Sequence, residues 1–587
     1  MSKKTKQEKI SLVSRILEKR YTIIFLLCLI CLIGLPLRSQ NIKLNGYISD
    51  DAWWHYRQIK EVLDYGHRLN PDPYEFTTLA RPMTYPPLFH YLVAFSYKII
   101  GKGISFIQFT HYFNIIEGLL YILLIYAMSL AITNDSLFSL IGALTAAISY
   151  GVIIRARAGE LMPFVPADLL AFAGLLFLLV LMKDIIRNNL GKEKPALDGK
   201  SILFSLIAGI LFGLSLLSWS GGALIYLPLI LFVFVALIII NLKFIKVGLI
   251  LFALCFAALI VSALSWYLPL IAKYGLNPHT KEMDWFMKGF TVLHQTRPLG
   301  FYIFTSAGIP LFFIPIVFIN SFFKKNAINI FLILWIILGA IATYSGWRGY
   351  VAVMPILSAI AISVGISRLV RSYCRKGSLS IAVIFITTFL VVGISGYYIS
   401  AVRISPLDPK NENEVRTNAK SIKMLEFLKE NYPQAKAVDL ISWVSEDEAV
   451  GSLRMISGQY LEYLPKGSSE ALKDVSRIYL NNEDRAYDIC LKYGVDVIIV
   501  RQQFLQLPQL SLLFASNELK SEDYFNINKE NEASNNFTIS FTPKGVETIL
   551  FKMFSRQKLK KFELVYQDLD KNHPMPFLVV YKVNKQS

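Results

Sequence analysis

Two adjacent carboxylates, Asp50 and Asp51, stand in the segment NGYISDDAWWHYRQI (residues 45–59), followed at once by two Trp, a His and an Arg. A carboxylate facing outward at a membrane surface is a hard oxygen donor. Mg²⁺ and Mn²⁺ prefer such donors, and a cation held there can bridge to a phosphate carried on a lipid. The plainer reading of the same residues is a pair of solvated loop carboxylates beside an interfacial aromatic anchor made by Trp53, Trp54 and Tyr56. Three other positions have compatible chemistry. Arg348, in TYSGWRGYVAVMPILSA, offers a planar, permanently charged fork suited to phosphate, or else snorkels toward water. Glu160, in RARAGELMPFVPADLL, is a second oxygen donor, whereas Asp168 in the same run reads as a helix-entry residue after Pro166. His294, in TVLHQTRP, is a possible ligand or hydrogen-bond partner, or a merely solvated loop histidine.

The elements that must carry these residues are membrane spans. The 587-residue chain is 54% hydrophobic and 13% aromatic, with a mean hydropathy of +0.46, which marks a multispanning membrane protein. Its net charge of +18 sits largely in short loops between apolar runs, so it reflects membrane topology and nucleic acid is excluded as a partner. Runs of roughly 20 apolar residues fall at 21–37, 112–133, 136–154, 165–183, 201–218, 222–242, 246–268, 299–322, 327–345, 349–367 and 379–400. The basic residues 1–20 precede the first run without a signal-peptide cleavage pattern, which places the N-terminus in the cytoplasm. Alternation from there puts the basic loops 183–194, 241–246, 322–326 and 368–377 inside. The loops 38–111 and 271–298, the segment 155–163 and everything after about 401 fall outside. All seven His then lie on the outer side. Residues 401–587 lose the spanning pattern and alternate helical with strand-like runs, an α/β pattern. The expected fold is a helical membrane domain over 21–400 followed by a soluble extracytoplasmic α/β domain over 401–587. The five Cys offer no disulfide framework, and Cys28 and Cys31 read as packing residues of the first span.

The run DAWWHYRQIKEVLDYGHRLNPDPYEFTTLARPMTYPPLFHYLVAF, residues 51–95, resembles the first outer loop of the catalytic subunit of oligosaccharyltransferases, especially the single-subunit archaeal type. The shared features are Asp51, Trp53, Trp54, His55 and Arg57, then Asp72-Pro73-Tyr74, then Tyr85-Pro86-Pro87-Leu88. KYGVDVIIVR (492–501) also resembles a helix-to-strand step of that family. The resemblance implies a GT-C glycosyltransferase with about 11 to 13 spans. It implies a divalent cation, Mn²⁺ or Mg²⁺, on Asp51 and Glu160, near the phosphate of a lipid-linked oligosaccharide or lipid-phosphate sugar. The acceptor implied is a polypeptide, by default at Asn of Asn-x-Ser/Thr. Asp51, Glu160 and His294 are then the catalytic candidates, and Arg348, His55, Arg57 and Trp443 the substrate-binding ones.

The chain departs from the family pattern at three places. The two ligand positions after Gly159 are Met162 and Phe164. His294 stands where the family has the Glu of Thr-Val-x-Glu. In AVDLISWVSEDEAVG, Trp443 matches the first residue of Trp-Trp-Asp-Tyr-Gly while Val444, Ser445, Glu446 and Asp447 do not match the rest, leaving Glu446 or Asp447 as shifted replacements for the Asp. Donor-side features therefore survive better than acceptor-side ones. The competing readings are a GT-C enzyme with a lipid or glycan acceptor and a noncatalytic relative with a degenerate metal site. A transporter is disfavoured by the lack of an inverted repeat and by few charges in the spans beyond Glu117. Asn536-Phe537-Thr538 is itself a sequon.

Overall fold

The computed structural model describes residues 20–79, 81–189, 195, 197–274, 313–323, 326–344, 354–373, 378–403, 419–440, 443–458, 465–502, 520–529, 537–568 and 578–585. The chain divides into two units, one built from Met1–Asn45, Tyr85–Pro269 and Arg297–Leu407, the other from Gly46–Thr84, Leu270–Thr296 and Asp408–Ser587.

The first unit is helical. Its helices are α1 (Arg20–Ser39), α3 (Leu88–Ile100), α4 (Phe106–Thr133), α5 (Ser136–Ile148), α6 (Phe164–Asn188), α7 (Gly199–Ser218), α8 (Ala223–Ile240), α9 (Ile245–Tyr274), α10 (Phe313–Phe323), α11 (Ala327–Tyr344), α12 (Met354–Tyr373) and α13 (Ser378–Arg403). Among the described residues seven helices are long and apolar enough to cross a membrane, and five shorter apolar helices accompany them. The chain is a multi-pass membrane protein. α3, the helix that the Tyr85-Pro86-Pro87-Leu88 turn leads into, was not among the expected spans, because its 13 residues reach only about 20 Å, below the length that marks a span.

Close helix packing in this unit uses small residues. Gly209 and Gly213 of α7 lie one turn apart, and a Cβ on either would collide with the α9 backbone at Cys255 O or Leu259 O. Such a small-xxx-small stripe lets helices approach where lipid removes the usual hydrophobic drive for association. Cys28 is exposed and Cys31 partly buried on α1, both as free thiols.

The second unit holds α2 (Asp50–Tyr65), α14 (Ala419–Asn431), α15 (Val444–Gly451), α16 (Ser468–Leu480) and α17 (Glu483–Tyr493). These accompany a five-stranded sheet of order β2-β1-β3-β7-β6 and a separate β4-β5 hairpin. The strands are β1 (Lys436–Val438), β2 (Arg454–Met455), β3 (Val497–Arg501), β4 (Phe525–Lys529), β5 (Phe537–Phe541), β6 (Phe562–Gln567) and β7 (Leu578–Val583). β1 runs parallel to β2 and β3, and β7 runs antiparallel to β3 and β6. The free edge at β2 is covered by the first-loop segment. Met455 N donates to Tyr74 O at 2.7 Å, and Thr77 N donates back to Met455 O at 3.2 Å. An edge paired in this way is closed to other chains.

Candidate functional site

α2 is enclosed on nearly every side although its sequence is rich in charge. Trp53 and Trp54, expected in an interfacial belt, are instead buried inside this unit, with Trp53 edge-on to Tyr47 at 4.9 Å.

The two leading carboxylates have different fates. Asp50 is buried, and its Oδ1 accepts from Glu446 N at 3.3 Å. The N-cap of α15 is Trp443, which has no capping side chain. Asp50 therefore supplies from another helix the acceptor that a local Ser or Asp would ordinarily provide. Asp51 lies in the same first turn, half-buried.

Arg57 is 4% exposed and organises the interior. Nη1 and Nη2 donate to Asp72 Oδ1 and Oδ2 at 3.0 and 2.7 Å, and Nη1 also donates to Glu61 Oε1 at 2.8 Å. Nε lies 3.2 Å from Glu448 Oε2, and the guanidinium sits over the Tyr74 ring at 5.0 Å. Asp72-Pro73-Tyr74 is thus the clamp for Arg57, a link that sequence reasoning left unconnected. Burial pulls the Arg57 pKa down, but Asp72, Glu448 and Glu61 outweigh it and hold the group above its ordinary value. His55 is fully enclosed against Trp54, and burial, helped by the Arg68 charge, drops its pKa to about 3. It is a neutral imidazole across the physiological range.

A second guanidinium, Arg501 at the end of β3, repeats the pattern. Nε donates to Asp439 Oδ2 at 2.6 Å, Nη1 donates to Ser421 Oγ at 2.7 Å, Nη2 donates to Asp447 Oδ1, and Glu446 lies 3.9 Å away. Trp443 is buried, its ring 5.4 Å from this guanidinium. Glu446 and Asp447 are therefore committed to the interior around Arg501. Burial pushes Asp447 and Glu448 well above the usual carboxylate range; the Arg501 and Arg57 charges oppose this, while Asp439 reinforces it at Asp447 and Asp72 and Asp50 at Glu448. The cluster lies at the carboxyl ends of the parallel strands β1 and β3, where open α/β sheets ordinarily present their ligand crevice.

In the membrane unit, Glu160 follows a tight turn at Gly159, whose φ of +88° only glycine adopts without strain. Three residues hold this turn. Arg38 Nη1 and Nη2 donate to Ala147 O and Ala146 O, capping α5, while Ala158 N donates to Arg38 O at 2.8 Å. His111 Nδ1 accepts from Gly159 N at 3.2 Å, and its Nε2 lies 3.0 Å from Leu44 O, an arrangement that fixes the tautomer with the proton on Nε2. Asn114 Nδ2 donates to Glu160 O. Glu160 itself is largely buried, 3.6 Å from Arg157 Nη2. His111 and Asn114 were missed. Their i, i+3 spacing on one face of an apolar span was the available signal.

Asp168 is not a helix-entry residue. It is fully buried, with Oδ2 accepting from Tyr121 Oη at 2.5 Å and Arg155 Nη1 at 3.1 Å, and Oδ1 accepting from Tyr226 Oη. Three spans, α4, α6 and α8, converge on this one carboxylate. His294 and Arg348 lie outside the described residues. Among the described residues no group of three or more His, Cys, Asp or Glu side chains is arranged to hold a metal ion.

Residues 23–273 match the family model for oligosaccharyl transferase STT3, N-terminal. The matched stretch takes in 251 of the chain's 587 residues, less than half of it. A curated relative, dolichyl-phosphooligosaccharide-protein glycotransferase 2 of Archaeoglobus fulgidus, is 30% identical over 202 residues, 34% of this chain and 30% of that protein. The matched region thus spans under a third of that relative's length. Among solved structures, the A. fulgidus oligosaccharyltransferase tethered with an acceptor peptide containing the NVT sequon superposes with a TM-score of 0.70 at 14% identity, covering 97% of this chain and 89% of that one. The archaeal oligosaccharyltransferase AglB with an inhibitory peptide and a dolichol-phosphate gives 0.67 at 15% identity, covering 94% and 80%. An A. fulgidus oligosaccharyltransferase complex with Zn and sulfate gives 0.66 at 16%, covering 92% and 78%. The likeness of fold to these solved structures therefore extends over nearly the whole chain.

Proposed function

We propose that this chain is a member of the STT3 family and a membrane glycosyltransferase that moves a glycan from a lipid-linked phosphate or pyrophosphate donor to an acceptor outside the cytoplasm, by default Asn of Asn-x-Ser/Thr. The observation that carries the reading is the end-to-end fold likeness to oligosaccharyltransferases combined with Asp51 half-exposed at the first turn of a helix whose neighbouring charges are tied inward. The N-terminus lies in the cytoplasm and the C-terminal unit outside, a reading supported by the basic loops.

A divalent cation, Mn²⁺ or Mg²⁺, is the ion suited by donor type to Asp51 in one unit and to Glu160 in the other, each a hard oxygen donor, with Glu160 ion-paired to Arg157 Nη2 at 3.6 Å. When bound, the cation supplies Lewis acidity to the departing phosphate. The protein's own part is positioning. The Arg57 centre fixes the helix that bears Asp51, neutral His55 keeps a charge out of that interior, and the His111–Gly159 contact sets the Glu160 turn. By residue type, Arg348 would supply a fork for the donor phosphate and His294 a catalytic imidazole.

The acceptor is where a second reading has support. Trp443 packs against Arg501, and Glu446 and Asp447 face inward, so the residues nearest the usual acceptor signature are occupied by internal contacts. Transfer to a lipid or glycan acceptor is that second reading. Purified protein is incubated with lipid-linked oligosaccharide, an Asn-x-Thr peptide and Mn²⁺, alongside Asp51→Ala and an EDTA-treated sample. Glycopeptide formed only by metal-loaded wild type supports the first reading. Metal-dependent donor cleavage without glycopeptide supports the second, and an intact donor in every sample rejects both.

A further inference from the structure

The far end of the membrane unit holds a cavity of about 410 Å³ that the proposed chemistry does not use. It lies where α4, α6 and α12 end and α11 begins, walled by Lys183, Arg187, Arg368 and Arg371 with Asn134 and Asn326. On α4 it adjoins Thr133, 22 residues beyond His111. At 1.5 Å per residue the cavity is therefore about 33 Å along the helix from the Glu160 turn, enough to reach the opposite membrane face.

The charges of this cavity are incompletely balanced. Arg371 pairs with Asp135 at 3.2 Å, and Arg187 shares Asp184 with Lys200. Lys183 Nζ donates to the neutral Asn134 Oδ1 at 2.7 Å. Arg368 donates through Nη1 to Ser321 Oγ at 2.6 Å and through Nη2 to Asn329 Oδ1, both neutral. Among the described residues no carboxylate pairs with Lys183 or Arg368. A part-buried guanidinium held in place by neutral acceptors keeps its full charge directed at whatever enters, and such a fork suits phosphate oxygens.

We infer that this cavity is a binding site for the phosphate head group of an anionic membrane lipid in the leaflet opposite the catalytic face. Three observations select a lipid over a soluble anion. The cavity opens between helices rather than in a soluble domain, its wall includes apolar Ile132, Ile186, Ile328 and Val364, and its cations lie at the basic ends of spans, where anionic head groups gather. The apolar wall offers a surface for the first methylenes of the acyl chains, and the Lys183 and Arg368 heads meet the phosphate with Arg187, whose charge is only half balanced because Asp184 also serves Lys200.

The test uses full-length protein in nanodiscs of phosphatidylcholine doped with phosphatidylglycerol, released and weighed by native mass spectrometry, with Lys183→Gln, Arg187→Gln and Lys183→Gln/Arg187→Gln beside wild type. These side chains reach the surface, so the variants keep the fold even where Arg368→Gln does not. Wild type is expected to retain phosphatidylglycerol over phosphatidylcholine, each single variant to lose about five-fold and the double roughly thirty-fold. Equal retention by wild type and the double variant overturns the site. Displacement of the retained lipid by millimolar inorganic phosphate overturns the lipid assignment and leaves a soluble phosphate as ligand.

Discussion

The two units bury charge by opposite recipes. In the membrane unit one carboxylate, Asp168, gathers two phenol hydroxyls and one guanidinium. In the second unit one guanidinium gathers three carboxylates, and this happens twice, at Arg57 and at Arg501. The first recipe balances one carboxylate against one guanidinium and two neutral phenols, leaving no surplus charge, which suits a low-dielectric setting where every surplus charge is costly. The second accumulates like charges and depends on some of them being protonated, which burial promotes. The centres of the second unit are therefore built to feel pH.

Removing the Arg57 hub should have the largest effect. Arg57→Met leaves Asp72, Glu61 and Glu448 buried without their cation, and about 3–5 kcal/mol of stability should go. Hydrogen exchange over residues 50–65 and 444–451 reads the loss, and undiminished protection would refute the hub. Asp168→Asn should cost less, about 2–3 kcal/mol, because one tyrosine can still donate to the amide oxygen and the other can accept from the amide NH2, while Arg155 loses its charge partner. The thermal midpoint of the membrane unit measures it, and a midpoint above wild type would break the contrast between the units.

A smaller effect concerns pH. In the fold Glu448 sits above its ordinary value of 4.5, so the native state holds protons that the unfolded chain has released. Stability from this group is complete below about pH 4.5 and declines as pH rises toward its folded value. Glu448→Gln should flatten that decline. A pH series of exchange protection in α15 gives the answer, and equal slopes in both proteins would remove Glu448 from the account. Smallest of all in stability is Asp51→Asn, within about 0.5 kcal/mol. Donor cleavage should nevertheless fall by about 100-fold, the scale set by losing a major electrostatic contribution.

The spans were legible because each is a run of apolar residues bounded by charge, a signal carried locally. Ten of the eleven expected runs coincide with apolar helices to within a few residues; at 299–322 only Phe313–Phe323 lies within the described residues. The distinction between Asp50 and Asp51 was partly legible from register, though not the capping of α15 by Asp50. What stayed hidden depends on partners far apart in sequence. Arg57 meets Glu448 nearly four hundred residues on. Asp168 looked like a helix-entry residue because local signals favour that role, and the phenols of Tyr121 and Tyr226 decide otherwise. The acidic run Glu446-Asp447-Glu448 read as a degraded motif, and its inward orientation follows only once Arg57 and Arg501 flank it.

The capping of α15 by Asp50 also has a consequence in time. About 335 residues separate the end of the first-loop segment from α14. At 5–20 residues per second of synthesis, that segment waits roughly 20–70 s for the domain it belongs to. During that interval α2 carries Arg57 with only Glu61 and Asp72 of its three acidic partners, and its tryptophans have no interior to enter. A nascent chain of this protein must therefore keep one helix in reserve until its last third has been translated.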